Sequence, residues 1–190
     1  KPKSAVISSI DTYDGVINEE SHLTTPEAFL IHRHYQNAVN SGIEYLTMEV
    51  SSQALKYHRV MGITFDIGWF LNIGTDHISD VEHTDFNDYF SAKLKLFSQC
   101  KTAVVNLNSD HADKIVGEAR KNAERVVTFG LKEEADVYAY DIVTATDGIS
   151  FKVRAPQFHE SFKIGIRGLF NVQNALAAVA ICIVLGVPTE

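Results

Sequence analysis

Through the first two thirds of the chain, short apolar runs alternate with stretches whose apolar positions recur every three or four residues. That alternation predicts βαβ units, in which parallel strands form a sheet and helices cover it. The strand candidates are residues 5–9, 43–49, 65–73, 103–107 and 125–129. Between the first two, Thr25-Pro26-Glu27 has the order of an N-cap hydroxyl, a first-turn proline and an acid, so a helix is predicted there with Thr25 as its cap and Gly42 as its stop. Ala28, Phe29, Ile31, Tyr35, Ala38 and Val39 fall at helical spacing and are the predicted buried face. A second amphipathic helix is predicted over 87–99, with Tyr89, Phe90, Leu94 and Phe97 turned to the core, and a third over 110–122.

After Gly130 the period changes. Residues 136–146, the Asp147-Gly148 pair and residues 149–154 read as a β-hairpin, because Asp-Gly supplies the positive φ angles of a tight turn. Residues 161–166 add a third antiparallel strand, and a last helix over 171–185 is stopped by Gly186 and Pro188. The expected fold is therefore α/β: a mostly parallel sheet flanked by helices, with a small antiparallel β excursion over 136–167.

Composition narrows the function classes. A chain of 190 residues with 45% hydrophobic and 22% charged residues is that of a soluble globular domain, which excludes a disordered tail, a collagen repeat and a disulfide-stapled miniprotein. A net charge of −7 speaks against broad attraction to nucleic acid or anionic lipid, so an anionic ligand needs a local site. The longest apolar run, residues 175–187, falls short of the roughly 20 needed to cross a bilayer, and no signal-peptide pattern opens the chain. Cys100 and Cys182 both lie in apolar surroundings and read as buried thiols of a reducing compartment, so the expected location is the cytoplasm.

In parallel α/β sheets ligands collect at the carboxyl ends of the strands. Two segments put polar groups there: Met48-Glu49-Val50-Ser51-Ser52 and Asn72-Ile73-Gly74-Thr75-Asp76-His77. A carboxylate and an imidazole at one sheet edge, without CxxC or HExxH spacing, point to a hard divalent cation near phosphate rather than structural zinc. The same residues also fit a plainer reading, with Glu49 as an acid at a helix start and His77 as a loop residue.

The full string goes further. Thr24-Thr25-Pro26-Glu27, Met48-Glu49-Val50-Ser51-Ser52-Gln53-Ala54-Leu55 with Arg59, Asn72-Ile73-Gly74-Thr75-Asp76-His77, Ala92-Lys93-Leu94-Lys95-Leu96-Phe97 and Gly168-Leu169-Phe170-Asn171-Val172-Gln173-Asn174-Ala175 occur in this order. Together they resemble the central ATPase domain of the Mur ligases, most closely the branch that adds the third residue of the peptidoglycan stem peptide. The resemblance implies an ATP-dependent amide-forming ligase acting on UDP-N-acetylmuramyl-dipeptide and an amino acid through an acyl phosphate. It implies that Glu49 and His77 hold Mg2+ near the phosphates. It matches Lys93 to a lysine that the family carbamylates with carbon dioxide, which would support a second Mg2+; Lys95 reads as an ordinary solvated lysine. Thr24, Thr25, Ser51 and Arg59 fall where this branch grips the UDP-muramyl substrate, and Asn72, Asn171 and Asn174 fall on the ATP side. The remaining histidines, His83 among them, carry no comparable pattern.

Gln53 stands where a histidine is usual, and Gly74-Thr75 stand where Ser-Arg usually precede Asp76-His77; both touch the substrate edge more than the metal ligands. No G-x-x-x-x-G-K-[ST] occurs in the chain, whereas the family carries it just before the position matching Lys1. The expectation is a partial central domain, inactive alone, with the amino-acid-binding domain beyond Glu190. Rival readings are a folylpolyglutamate, cyanophycin or poly-γ-glutamate synthase of the same superfamily, and a non-catalytic nucleotide-sugar binding module.

Overall fold

The computed structural model describes residues 3–74, 82–156 and 158–188. The chain forms two compact units, Lys1–Ile63 with His77–Lys95 and Thr64–Asp76 with Leu96–Glu190.

The first unit is built on a four-stranded sheet. Strands β1 (Ser4–Ile7), β2 (Asp11–Tyr13), β3 (Asn18–Glu20) and β4 (Tyr45–Met48) lie in the order β3-β2-β1-β4. β1 and β4 run parallel, with Val6 opposite Thr47, while β1-β2 and β2-β3 are antiparallel. Helix α1 (Ala28–Asn40) lies between β3 and β4 in the chain, α2 (Ser52–Lys56) follows β4, and α3 (Phe86–Leu94) packs against α2. Ile7, Ile31, Ala54, Leu55, Val60 and Tyr89 are buried in this unit. The β2–β3 turn is tied to α1 through a buried carboxylate. Asp14 accepts from the Val16 and Ile17 amides on one oxygen, and from His34 Nδ1 (2.7 Å) and Asn37 Nδ2 (2.8 Å) on the other. Burial by itself would raise the Asp14 pKa, yet these donors outweigh it and hold the group at about 2.

The second unit holds a six-stranded mixed sheet in the order β10-β9-β8-β7-β6-β5. β5 (Phe65–Phe70), β6 (Cys100–Asn106), β7 (Arg125–Gly130) and β8 (Val137–Ala145) are parallel neighbours; β8, β9 (Gly148–Ala155) and β10 (Phe158–Ile164) are antiparallel. Helices α4 (Ala112–Asn122) and α5 (Leu169–Val184) pack on this sheet. Val104, Phe129, Ile149, Val153, Val172 and Leu176 lie in its closed apolar core. Burying side chains of this size, at about 1.5–3 kcal/mol each, is what fixes α5 to the sheet.

The α/β architecture stands as read from the sequence, with several differences in detail. The expected parallel strands are shared between two sheets. The antiparallel strands are continuous with β5–β7, since β8 pairs in parallel with β7 through Phe129 opposite Val137. Alternation of period alone does not say which strands share a sheet. The hairpin turn falls on Thr146 and Asp147, with Gly148 already paired to Ala145, where a Cβ would collide with the Ile164 carbonyl oxygen. The helix expected over 87–99 is α3 followed by a 3-10 turn, Lys95–Gln99. On α1 the buried positions are Ile31, His34 and Ala38, while Phe29 is 94% and Val39 72% exposed. Cys182 is exposed, not buried; Cys100 is buried as expected. Among the described residues no helix is long and apolar enough to cross a membrane.

Candidate active site

β4 delivers Glu49 directly after Met48, and Ser51 then caps α2, its hydroxyl accepting from the Ala54 amide at 3.2 Å. The sequence expectation that Thr25 caps α1 is overturned: the cap position is Glu27, without a side-chain hydrogen bond. Thr25 is buried and faces the end of β4. Its hydroxyl donates to the Glu49 carbonyl (2.9 Å) and accepts from the Ser51 amide (2.8 Å), with Ser51 Oγ at 3.4 Å. A buried side chain that satisfies two backbone groups of another segment fixes that segment's course.

Arg59 reaches the same place by a local device. α2 ends in a Schellman-type turn, in which His58 takes a left-handed conformation (φ 59) and the Arg59 amide returns to the Ala54 carbonyl at 2.9 Å. The guanidinium then donates to the Thr25 carbonyl (3.2 Å) and meets Glu27 at 3.0 Å. Glu49 turns its carboxylate toward the end of β1, where one oxygen accepts from the Ser9 amide at 2.8 Å, and the residue is exposed. Thr25, Glu49, Ser51 and Arg59, scattered over the sequence, thus share one hydrogen-bonded cluster. Thr24 lies next to it, half-buried.

Lys93 stands in the last turn of α3 in the same unit, with its Nζ 5.2 Å from the centre of the Tyr89 ring. Desolvation by burial lowers its pKa from the usual lysine value. Lys95, two residues on, is exposed. His77 lies outside the described residues. Among the described residues no cluster of three His, Cys, Asp or Glu side chains forms a metal site.

Asn72, Asn171 and Asn174 belong to the second unit. Asn171 donates to the Arg167 carbonyl (2.6 Å) in the first turn of α5, and Asn72 and Asn174 are exposed. Sequence reasoning missed the residues that hold this edge together. Buried Asn106, at the end of β6, donates to the Leu71 carbonyl (2.8 Å) and to Gln173 Oε1 (2.7 Å), tying the start of α5 to the chain just before Asn72. A polar residue set inside the apolar run 103–107 was the available signal.

The family model described as "Mur ligase middle domain" matches residues 1–182. The chain belongs to the Mur ligase family. Its Mur ligase relatives include the UDP-N-acetylmuramyl-tripeptide synthetase of Bifidobacterium longum, 40% identical over 99% of this chain and 38% of that protein. They also include the UDP-N-acetylmuramoyl-L-alanyl-D-glutamate–2,6-diaminopimelate ligase of Clostridioides difficile, 35% identical over 99% of this chain and 39% of that protein. A solved 2,6-diaminopimelate ligase structure superposes with a TM-score of 0.84 at 25% identity, over 98% of this chain and 38% of that one. This Mur ligase chain therefore spans less than two fifths of the length of each of these relatives.

Proposed function

We propose that this chain is the middle domain of an ATP-dependent carbon–nitrogen ligase of peptidoglycan precursor synthesis, working in the cytoplasm, that joins an amino acid to UDP-N-acetylmuramyl-dipeptide. The observation that carries the reading is the Thr25–Glu49–Ser51–Arg59 cluster at the carboxyl end of β4, in a chain similar along its length to tripeptide-forming ligases. The substrate carboxylate attacks the γ-phosphorus of ATP, ADP leaves, and the amine attacks the acyl phosphate carbon to expel inorganic phosphate. Such a reaction rests on positioning and charge neutralisation, not on a covalent enzyme nucleophile.

Within this division of labour Thr24 and Ser51 bind phosphate or sugar oxygens, Thr25, buried with its hydroxyl proton given to the Glu49 carbonyl, holds the turn that presents them, and Arg59, already paired with Glu27, presents its guanidinium to the anionic substrate. Asn171 and Asn174 serve the adenine side, and Asn72 is a further ATP-binding residue. The Glu49 carboxylate is exposed and a hard oxygen donor, which suits Mg2+; His77 is its proposed partner. When bound, Mg2+ neutralises phosphate charge and polarises the reacting oxygens. Lys93 suits carbamylation because that chemistry needs an uncharged amine, and the burial that lowers its pKa favours one. The carbamate would give α3 an anionic end able to support a second Mg2+.

The test is ADP release by the natural full-length protein with ATP, Mg2+, UDP-N-acetylmuramyl-dipeptide, and either L-lysine or meso-diaminopimelate. The reading expects turnover that needs all components; turnover indifferent to the muramyl substrate contradicts it.

A further inference from the structure

Both ends of α2 are tied to the entrance of α3 by one continuous chain of polar side chains. Lys56 Nζ donates to Asp88 Oδ2 (2.6 Å) and to the Glu82 carbonyl (3.2 Å). The same Asp88 oxygen meets His83 Nδ1 at 3.2 Å, and His83 Nε2 meets Ser52 Oγ at 2.9 Å. Ser52 and Lys56 are the first and last residues of α2, four apart and so on one helical face. A five-residue helix has too few internal hydrogen bonds to persist by itself, so what grips both its ends sets its place.

A carboxylate only accepts, so His83 Nδ1 is the donor to Asp88, and Nε2 is the ring nitrogen left to the Ser52 hydroxyl. The order Ser-His-Asp is that of a hydrolytic triad, but Ser52 is only 6% exposed and His83 1%, which closes the hydroxyl to a substrate carbonyl. The constellation holds position. On the α2 side it adjoins Ser51, the cap residue bonded to Thr25. On the α3 side the centre of the Tyr89 ring lies 5.3 Å from that of His83 and 5.2 Å from Lys93 Nζ.

We propose that Ser52, His83, Asp88 and Lys56 form a positioning relay that sets α3, and with it Lys93, against the Glu49–Ser51 turn, making His83 a positioning residue for the ligase step. Its activity readout rests on the ligase reading above. The experiment compares Ser52→Ala, His83→Asn and His83→Gln in the full-length protein. Ser52→Ala removes one hydroxyl from an intact backbone. Asn keeps a donor near the Nδ1 position only, whereas Gln reaches the Nε2 position and offers Ser52 an acceptor.

Ser52→Ala and His83→Asn are expected to lower kcat by about 10- to 100-fold, with KM for ATP changed less than about threefold and Tm nearly unchanged; His83→Gln recovers much of the loss. Full turnover in Ser52→Ala, or a loss that tracks Tm and vanishes on cooling, overturns the relay. Absence of turnover in the wild type sinks the ligase reading instead, and the relay is then read by amide exchange. It expects protection of the α2 amides to fall in Ser52→Ala while α1 keeps its own, and unchanged α2 protection overturns it.

Discussion

The Thr25 hydroxyl lies 2.8 Å from the Ser51 amide nitrogen and donates at 2.9 Å to the carbonyl of Glu49, so one side chain satisfies the backbone on both sides of Val50. The turn that presents Glu49 and Ser51 is thereby held from outside its own segment. Thr25→Val keeps the shape and removes the hydroxyl, leaving the Ser51 amide and the Glu49 carbonyl without this partner. The expected cost is about 1–3 kcal/mol, read as a lower urea midpoint at unchanged m, while Thr25→Ser stays within about 1 kcal/mol of wild type. KM for UDP-N-acetylmuramyl-dipeptide is expected to rise about tenfold in the valine variant.

Lys93→Ala is expected to remove turnover and to regain part of it when a small carboxylate such as formate or acetate is added, because the carboxylate replaces the anion that carbamylation provides. Lys93→Arg, permanently charged, is expected to show no such rescue. Equal turnover in wild type and Lys93→Ala would remove the carbamate from the account.

Asp14 makes acid stability predictable in sign. Its folded pKa of about 2 lies below the unfolded value of 3.8, so its contribution is complete above pH 3.8 and is lost as pH falls toward 2. The shift corresponds to about 2 kcal/mol. Urea unfolding between pH 6 and pH 2.5 should show that loss in the wild type and a flatter acid limb in Asp14→Asn.

The two thiols should differ sharply. Burial pushes Cys100 up to about 11, whereas Cys182 is exposed on α5. Iodoacetamide mapping of the folded protein at pH 8 is expected to label Cys182 quickly and Cys100 only on unfolding, because the thiolate is the nucleophile. Fast labelling of Cys100 would contradict the packing of β6 against Gly68, where a Cβ would sit 2.9 Å from the Cys100 sulfur.

What the sequence disclosed and what it hid follow from the same physics. Strand ends that deliver polar residues, such as Met48 into Glu49, were legible because apolar runs stop there. Motif order grouped Thr25, Ser51 and Arg59, which the fold joins by hydrogen bonds. The role of Thr25 was misread because a hydroxyl before Pro-Glu satisfies the local rule for a cap; its actual partner, Ser51, lies far along the chain. His83 was passed over for the same reason, since its partners Ser52 and Asp88 are joined to it only by tertiary packing. The apolar face of α1 was overdrawn because periodicity marks a stripe without saying how much of it is covered, and Phe29 remains exposed.

The central claim is an acyl phosphate formed on the muramyl dipeptide. The measurement is ligation by the full-length protein using UDP-N-acetylmuramyl-dipeptide labelled with 18O in the reacting carboxylate, followed by mass analysis of the inorganic phosphate. Attack of that carboxylate on ATP carries one labelled oxygen into the phosphate released when the amine forms the amide, so the account predicts one 18O per phosphate. Unlabelled phosphate alongside amide product would contradict it.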